Sequence, residues 1–160
     1  MVEEELVNIL IKHKLRITTA ESCTAGLISS TIVNVANASS VFDMAFVTYA
    51  NRAKVDLIDV NIDTINKFGV VSCQVAEEMA IGAKKKANSQ VSIAVSGIAG
   101  PTGGTEAKPV GMVCFGFCID NKIYSETKYF GNIGRNNVRE KTKDYALYRV
   151  LELIKENYND

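Results

Sequence analysis

Ser22, Tyr49 and Lys54 are the side chains whose types and positions point to chemistry. Ser22 stands in Glu21-Ser22-Cys23-Thr24-Ala25-Gly26, where a β-prone run gives way to a helical one. A serine there is either a helix cap or a nucleophile beside backbone N–H groups that can hold an oxyanion. Cys23 is the rival nucleophile, but it has no histidine to generate its thiolate. Tyr49 and Lys54 lie five positions apart in Tyr49-Ala50-Asn51-Arg52-Ala53-Lys54, past a second strand. A solvated lysine and a core tyrosine are the plain alternatives. As a base, a lysine must move down by about 3 pKa units, about 4 kcal/mol, through desolvation or a neighbouring cation. Arg52 and the helix start after Ser22 are candidate sources of that shift, and Tyr49 is placed to relay the proton or hold the ammonium.

The chain's single histidine, His13, lies between Lys12 and Lys14 on a polar helix face. A Ser-His-Asp or Cys-His machine needs an imidazole beside its nucleophile. The base of a nucleophilic enzyme built from this sequence is therefore sought elsewhere, first at Lys54.

The second chemical region is Ser96-Gly97-Ile98-Ala99-Gly100-Pro101-Thr102-Gly103-Gly104-Thr105, followed by Lys108. It is neither a Walker A loop nor a dinucleotide fingerprint, because the required spacings are absent. Five glycines between 97 and 111 let backbone N–H groups approach and cradle an anion, so a phosphate or carboxylate site is expected over a simple long turn. Arg135 and Arg139, one turn apart at the start of the last helix, are either a further anionic contact or surface charges.

Composition narrows the class. The 160 residues suit one domain with a sizeable core. Lys+Arg and Asp+Glu balance at 18 each, which gives no bulk attraction to nucleic acid or an anionic membrane. No apolar run approaches the roughly 18 residues of a membrane span, and Val2-Glu3-Glu4-Glu5 is no signal peptide, so a cytoplasmic location is expected. The cysteines at 23, 73, 114 and 118 form no C-x-x-C pair, which argues against a metal site or a secretory disulfide framework. Cys114 and Cys118 are even-spaced in a strand and are expected to be buried on one face.

The elements that must position these residues follow from periodicity. Helices are expected over Glu5–His13, Ala25–Asn34, a short stretch capped by Asp63, Ser72–Lys86 and Asn136–Asn157. Strands are expected over Arg16–Ala20, Phe42–Tyr49, Gln90–Ser96, Gly111–Ile119 and Lys122–Tyr129, the last two joined by a tight turn at Asp120-Asn121. Strands alternating with helices imply a parallel core, and the late hairpin adds antiparallel strands. The predicted fold is α/β, a three-layer α/β/α sandwich with a mixed, mostly parallel sheet of about five strands. The blocks singled out above then fall at the carboxyl ends of strands, where open α/β sheets bind ligands.

Taken in order, Thr19-Ala20-Glu21-Ser22-Cys23-Thr24, Tyr49-Ala50-Asn51-Arg52-Ala53-Lys54, Gly69-Val70-Val71-Ser72, Gly97-Ile98-Ala99-Gly100-Pro101 with Gly103-Gly104-Thr105, Lys108-Pro109-Val110-Gly111 and Arg135-Asn136-Asn137-Val138-Arg139 resemble the CinA C-terminal domain family. Stand-alone members of that family include nicotinamide mononucleotide amidases of the PncC type. The resemblance covers nearly the whole chain and implies an α/β/α serine amidohydrolase with a Ser–Tyr–Lys arrangement, which maps to Ser22, Tyr49 and Lys54. The implied reaction converts nicotinamide mononucleotide to nicotinate mononucleotide and ammonia, with no metal or organic cofactor. Thr24, Gly97, Gly100, Gly103, Gly104, Thr105, Lys108, Arg135 and Arg139 are the expected substrate contacts. The expected partner is that small molecule, with no nucleic acid and no membrane, and with a homo-oligomer possible.

Two positions depart from the family's usual pattern. Ala25 stands where the first of two glycines is usual, and its methyl is expected near the oxyanion or the substrate. Gly134 stands where an acidic residue usually precedes the first arginine of the last block. Two other readings accompany the amidase: a serine amidase or esterase of another small anionic substrate, and a non-catalytic nucleotide-binding or regulatory module.

Overall fold

A computed structural model describes residues 1–160. Five strands, β1 (Ile17–Glu21), β2 (Phe46–Val47), β3 (Val91–Gly97), β4 (Met112–Ile119) and β5 (Lys122–Tyr129), form one open sheet in the order β2-β1-β3-β4-β5. β1 pairs in parallel with both β2 and β3, while β4 and β5 continue the sheet antiparallel. Six α-helices, α1 (Val2–Lys12), α2 (Leu27–Val33), α3 (Asn51–Ile58), α4 (Ile62–Phe68), α5 (Cys73–Ala87) and α6 (Arg135–Tyr158), cover its two faces. No helix is long and apolar enough to cross a membrane.

The two faces of the sheet carry different side chains, and this sets the layers. Ile17, Ile93, Val95, Phe115, Phe117 and Ile119 form the bulky face and pack with Leu6, Leu10, Ile28, Ile32, Val138 and Val150 of α1, α2 and α6. Alternate residues face the other way. There Ala20, Ala94 and Cys118 meet Ile58, Ile65, Met79 and Ala83 of α3, α4 and α5. That face is built of small residues, so α5 lies close on it. A Cβ on Gly116 would fall 2.2 Å from the Ala76 carbonyl oxygen, and Ser92 Oγ donates to the Ala80 carbonyl at 2.7 Å.

The predicted layers and sheet are the observed ones, with local differences: α3, which carries Lys54, is not among the predicted helices, and α1 begins at Val2 where Glu5 is expected. The predicted strand Phe42–Tyr49 shrinks to Phe46–Val47, with Phe42 keeping only an isolated bridge to Ile17. Thr18 Oγ1 donates to the Met44 carbonyl at 2.8 Å and takes the place of a ladder bond. α2 begins at Leu27 and not at Ala25, because Ala25 and Gly26 adopt left-handed φ values of 46° and 99°. The cap of α4 is Asn61, whose side chain accepts from the Asp63 N–H at 2.8 Å, so Asp63 sits in the first turn. Finally α6 starts one residue earlier than expected, after Gly134 in a left-handed φ of 101°. Ser72 caps α5 as its position implies, accepting from the Val75 N–H at 3.3 Å. Cys114 and Cys118 are both buried.

Candidate active site

Three parallel strands place their carboxyl ends on one edge of the sheet. Ser22 follows β1 directly. Thr48 and Tyr49 follow β2, and the first turn of α3 returns Lys54 toward β1. Gly97 ends β3 and opens the glycine-rich loop. A cleft of about 430 Å³ lies over these ends, lined by Ser22, Cys23, Tyr49, Lys54, Ser96, Gly97 and Arg135 among others. The chain goes to one side of β1 to reach β2 and to the other side to reach β3, so the cleft sits at a topological switch point.

Lys54 is the unusual group. It lies in the first turn of α3, fully buried, with no carboxylate partner. Its Nζ donates to the Thr48 carbonyl at 2.7 Å, to the Tyr49 carbonyl at 3.3 Å and to Ser22 Oγ at 3.2 Å. Carbonyl and hydroxyl dipoles replace only part of the hydration an ammonium loses on burial. Desolvation therefore lowers its pKa from 10.5 to about 8. A pKa of about 8 leaves about a tenth of Lys54 neutral at pH 7, in contact with a serine hydroxyl, as a general base requires. Burial acts in the opposite sense on the neighbouring thiol, pushing Cys23 up to about 11 and holding it protonated. The geometry favours Ser22 over Cys23 as nucleophile.

The turn that presents Ser22 is held by Glu21, a role the sequence reading left unassigned. Glu21 is a fully buried carboxylate that accepts from the Thr19 and Thr24 hydroxyls and from the Gly26, Ile28 and Ser29 N–H groups. Of the two places where oxyanion donors are expected, the start of the second helix and the glycine loop, the first has its Gly26, Ile28 and Ser29 amides taken by Glu21. The signal was there in the sequence, as a carboxylate ending a buried strand between two threonines. Nor does Ser22 cap α2, whose N-cap is Gly26. Ala25 is exposed and lies outside the cleft lining, so its methyl does not crowd the site.

Other expected site residues divide. Tyr49 is 58% exposed, and its hydroxyl accepts from Arg135 Nη2 at 2.9 Å, so only its backbone carbonyl meets Lys54. The phenol is hydrogen-bonded to neither Ser22 nor Lys54. Arg135 also donates to the Gly100 carbonyl at 2.8 Å and ties the glycine loop to the cleft wall. Gly97, Gly100, Gly103, Thr105 and Lys108 line the cleft, whereas Gly104 lies exposed against Val110 and is not part of the lining. Lys108 Nζ spans to the Phe68 and Val71 carbonyls at 2.6 and 2.7 Å, strapping the loop to the segment before α5. Thr24 is buried with its hydroxyl on Glu21, and Arg139 donates to the Cys23 and Thr24 carbonyls, so neither side chain lines the cleft. Arg52 is exposed beside Asp56, away from Lys54, and contributes nothing to its shift. His13 pairs with Asp160 at the far terminus.

The family model described as the CinA C-terminal domain matches residues 1–154. The chain belongs to the CinA C-terminal domain family. It is 41% identical over 98% of its length to a CinA-like protein of Petrotoga mobilis and 50% identical over 79% to one of Fervidobacterium nodosum. Those alignments occupy 39% and 31% of the relatives, so the chain spans about a third of the length of the curated CinA proteins it matches. Solved CinA-superfamily structures of similar size share the fold. The competence/damage inducible protein CihA of Agrobacterium tumefaciens superposes with a TM-score of 0.88 at 39% identity, covering 96% of each chain. A CinA superfamily protein of Escherichia coli gives 0.92 at 34% identity, covering 95% of this chain and 88% of the other.

Proposed function

We propose that this CinA domain is a serine amidohydrolase that hydrolyses the carboxamide of nicotinamide mononucleotide. The observation that carries the reading is the contact between a buried, carboxylate-free Lys54 and the Ser22 hydroxyl. Neutral Lys54 takes the Ser22 proton as Oγ attacks the carboxamide carbon. The resulting ammonium returns that proton to the nitrogen as the tetrahedral intermediate collapses, and ammonia leaves. The acyl ester on Ser22 is then attacked by water, whose proton passes to Lys54 and back to Ser22 Oγ as nicotinate mononucleotide departs. Each half needs one base that becomes one acid, and a lysine with a pKa of about 8 suits both at neutral pH. The cleft volume lies in the range of small-molecule sites. The glycine-loop amides and Arg135 are the groups suited to the phosphate.

The experiment is ammonia release from nicotinamide mononucleotide by the purified protein, with Ser22→Ala as control. The wild type releases ammonia and the variant, missing one hydroxyl, does not. Nicotinamide riboside is expected to be a much poorer substrate, since it lacks the group the loop would hold. No ammonia from the wild type, or undiminished release by Ser22→Ala, would refute the reading.

A further inference from the structure

In the turn from Ser22 to Gly26, nearly every backbone group has a partner. The Ser22 N–H donates to the Val95 carbonyl, the Ala25 N–H to the Ser22 carbonyl and the Leu27 N–H to the Thr24 carbonyl. The Gly26 N–H belongs to Glu21. The Cys23 and Thr24 carbonyls are gripped together by one guanidinium, with Arg139 Nε at 2.9 Å from the first and Nη2 at 3.1 Å from the second. Arg139 reaches across from α6, and its Nη1 is braced by Asn136 Oδ1 at 3.2 Å. Only the N–H groups of Cys23 and Thr24 remain without an acceptor elsewhere in the chain.

A trans peptide points its C=O and N–H in opposite directions. The Ser22 carbonyl turns inward to Ala25, so the Cys23 N–H faces out of the turn. The Cys23 carbonyl turns to Arg139, so the Thr24 N–H faces away from α6. Thr24 is fully buried and absent from the cleft wall, whereas Cys23 lines it beside Ser22. An N–H one residue beyond a nucleophile is well placed for the oxygen of a tetrahedral intermediate. We infer that the Cys23 N–H is the oxyanion donor and that Arg139 is a positioning residue, which fixes that donor by holding the two carbonyls that follow it and never touches the substrate. The inference rests on Ser22 being the nucleophile, as proposed above.

Two readouts test it on the intact protein. In steady-state ammonia release, Arg139→Ala is expected to lower kcat by about 100-fold, the usual effect of losing one oxyanion donor, with KM within about threefold of wild type. Added methylguanidinium is expected to restore part of that rate. A fluorophosphonate probe supplies the second readout, because Ser22 Oγ attacks phosphorus, fluoride leaves, and the phosphoryl oxygen needs the same donor. Its labelling rate is expected to fall in parallel. Arg139→Lys, which reaches one carbonyl at a time, is expected between the two and serves alone if Arg139→Ala does not fold. A raised KM with unchanged kcat would make Arg139 a substrate contact and overturn the inference, as would labelling as fast as wild type. If wild type is labelled at Ser22 but releases no ammonia, the proposed substrate is wrong while the labelling rates still decide the role of Arg139. If Ser22 is not labelled at all, both readings fall.

Discussion

Lys54→Met separates the energetic cost of the buried base from everything else the residue does. A group whose folded pKa lies below its unfolded value opposes folding wherever the unfolded chain holds the extra proton. For Lys54, moving from 10.5 to about 8, that cost is about 3 kcal/mol below pH 8. It shrinks as pH rises from 8 toward 10.5 and is gone above the unfolded value. At pH 7 the full cost is present, while at pH 10 about 1 kcal/mol remains. Methionine has a similar length and no charge, so it removes this cost. It also deprives the Thr48 carbonyl of a donor, a penalty of about 1–3 kcal/mol that does not vary with pH. The stability difference between variant and wild type should therefore move by about 2 to 3 kcal/mol in favour of the wild type between pH 7 and pH 10. The chain has no tryptophan, so urea unfolding is best followed by far-ultraviolet circular dichroism. With a urea slope of about 2 kcal/mol/M, the two midpoints shift relative to each other by about 1 M. A difference that stays constant over this range would mean that Lys54 ionises at its ordinary value in the folded protein. The neutral base, and the mechanism built on it, would then be lost.

The same group sets the pH dependence of the reaction. The specificity constant should rise about tenfold per pH unit below a limb near pH 8 and level off above it, and Lys54→Arg should be as inactive as Lys54→Met, because guanidinium stays protonated. A flat profile, or an active Lys54→Arg, would move the base elsewhere. Ala25→Gly should raise stability by about 1 kcal/mol, because Ala25 holds a left-handed φ of 46° that glycine adopts without strain. For a chain of this size that is a rise in Tm of about 3 °C, measurable by thermal unfolding, and an unchanged or lowered Tm would refute it.

The layers, the sheet and the place of the cleft were legible because each rests on a pattern longer than any local exception. Apolar alternation in β3 and β4 and the helical stripe of α5 survive a residue or two of error at their ends. The pairing of Ser22 with Lys54 was legible only as a possibility, since neither residue alone distinguishes catalysis from capping or solvation. What was not legible is where a long side chain points. Arg135 and Arg139 sit one turn apart on the same helix, yet one braces the cleft wall and the other grips the backbone behind Ser22. Tyr49 carries the same lesson, for its carbonyl lies at Lys54 while its ring turns outward to Arg135. These choices are settled by tertiary neighbours that sequence spacing does not name.

On the proposed mechanism, the arrangement activates a serine with no imidazole in reach. A nearby cation would also lower a lysine pKa, but none acts on Lys54, whose shift comes from desolvation. Desolvation lowers it once the lysine is buried away from carboxylates, and here the carboxylate next to Ser22, Glu21, is fully occupied. Its two oxygens take five donors from Thr19, Thr24 and the turn into α2, and none of them is Lys54. Had Glu21 turned to the lysine, an ion pair would have held the ammonium charged and the hydroxyl of Ser22 without a base. Glu21 therefore shapes the turn that carries Ser22 and, by the same hydrogen bonds, forms no ion pair with Lys54.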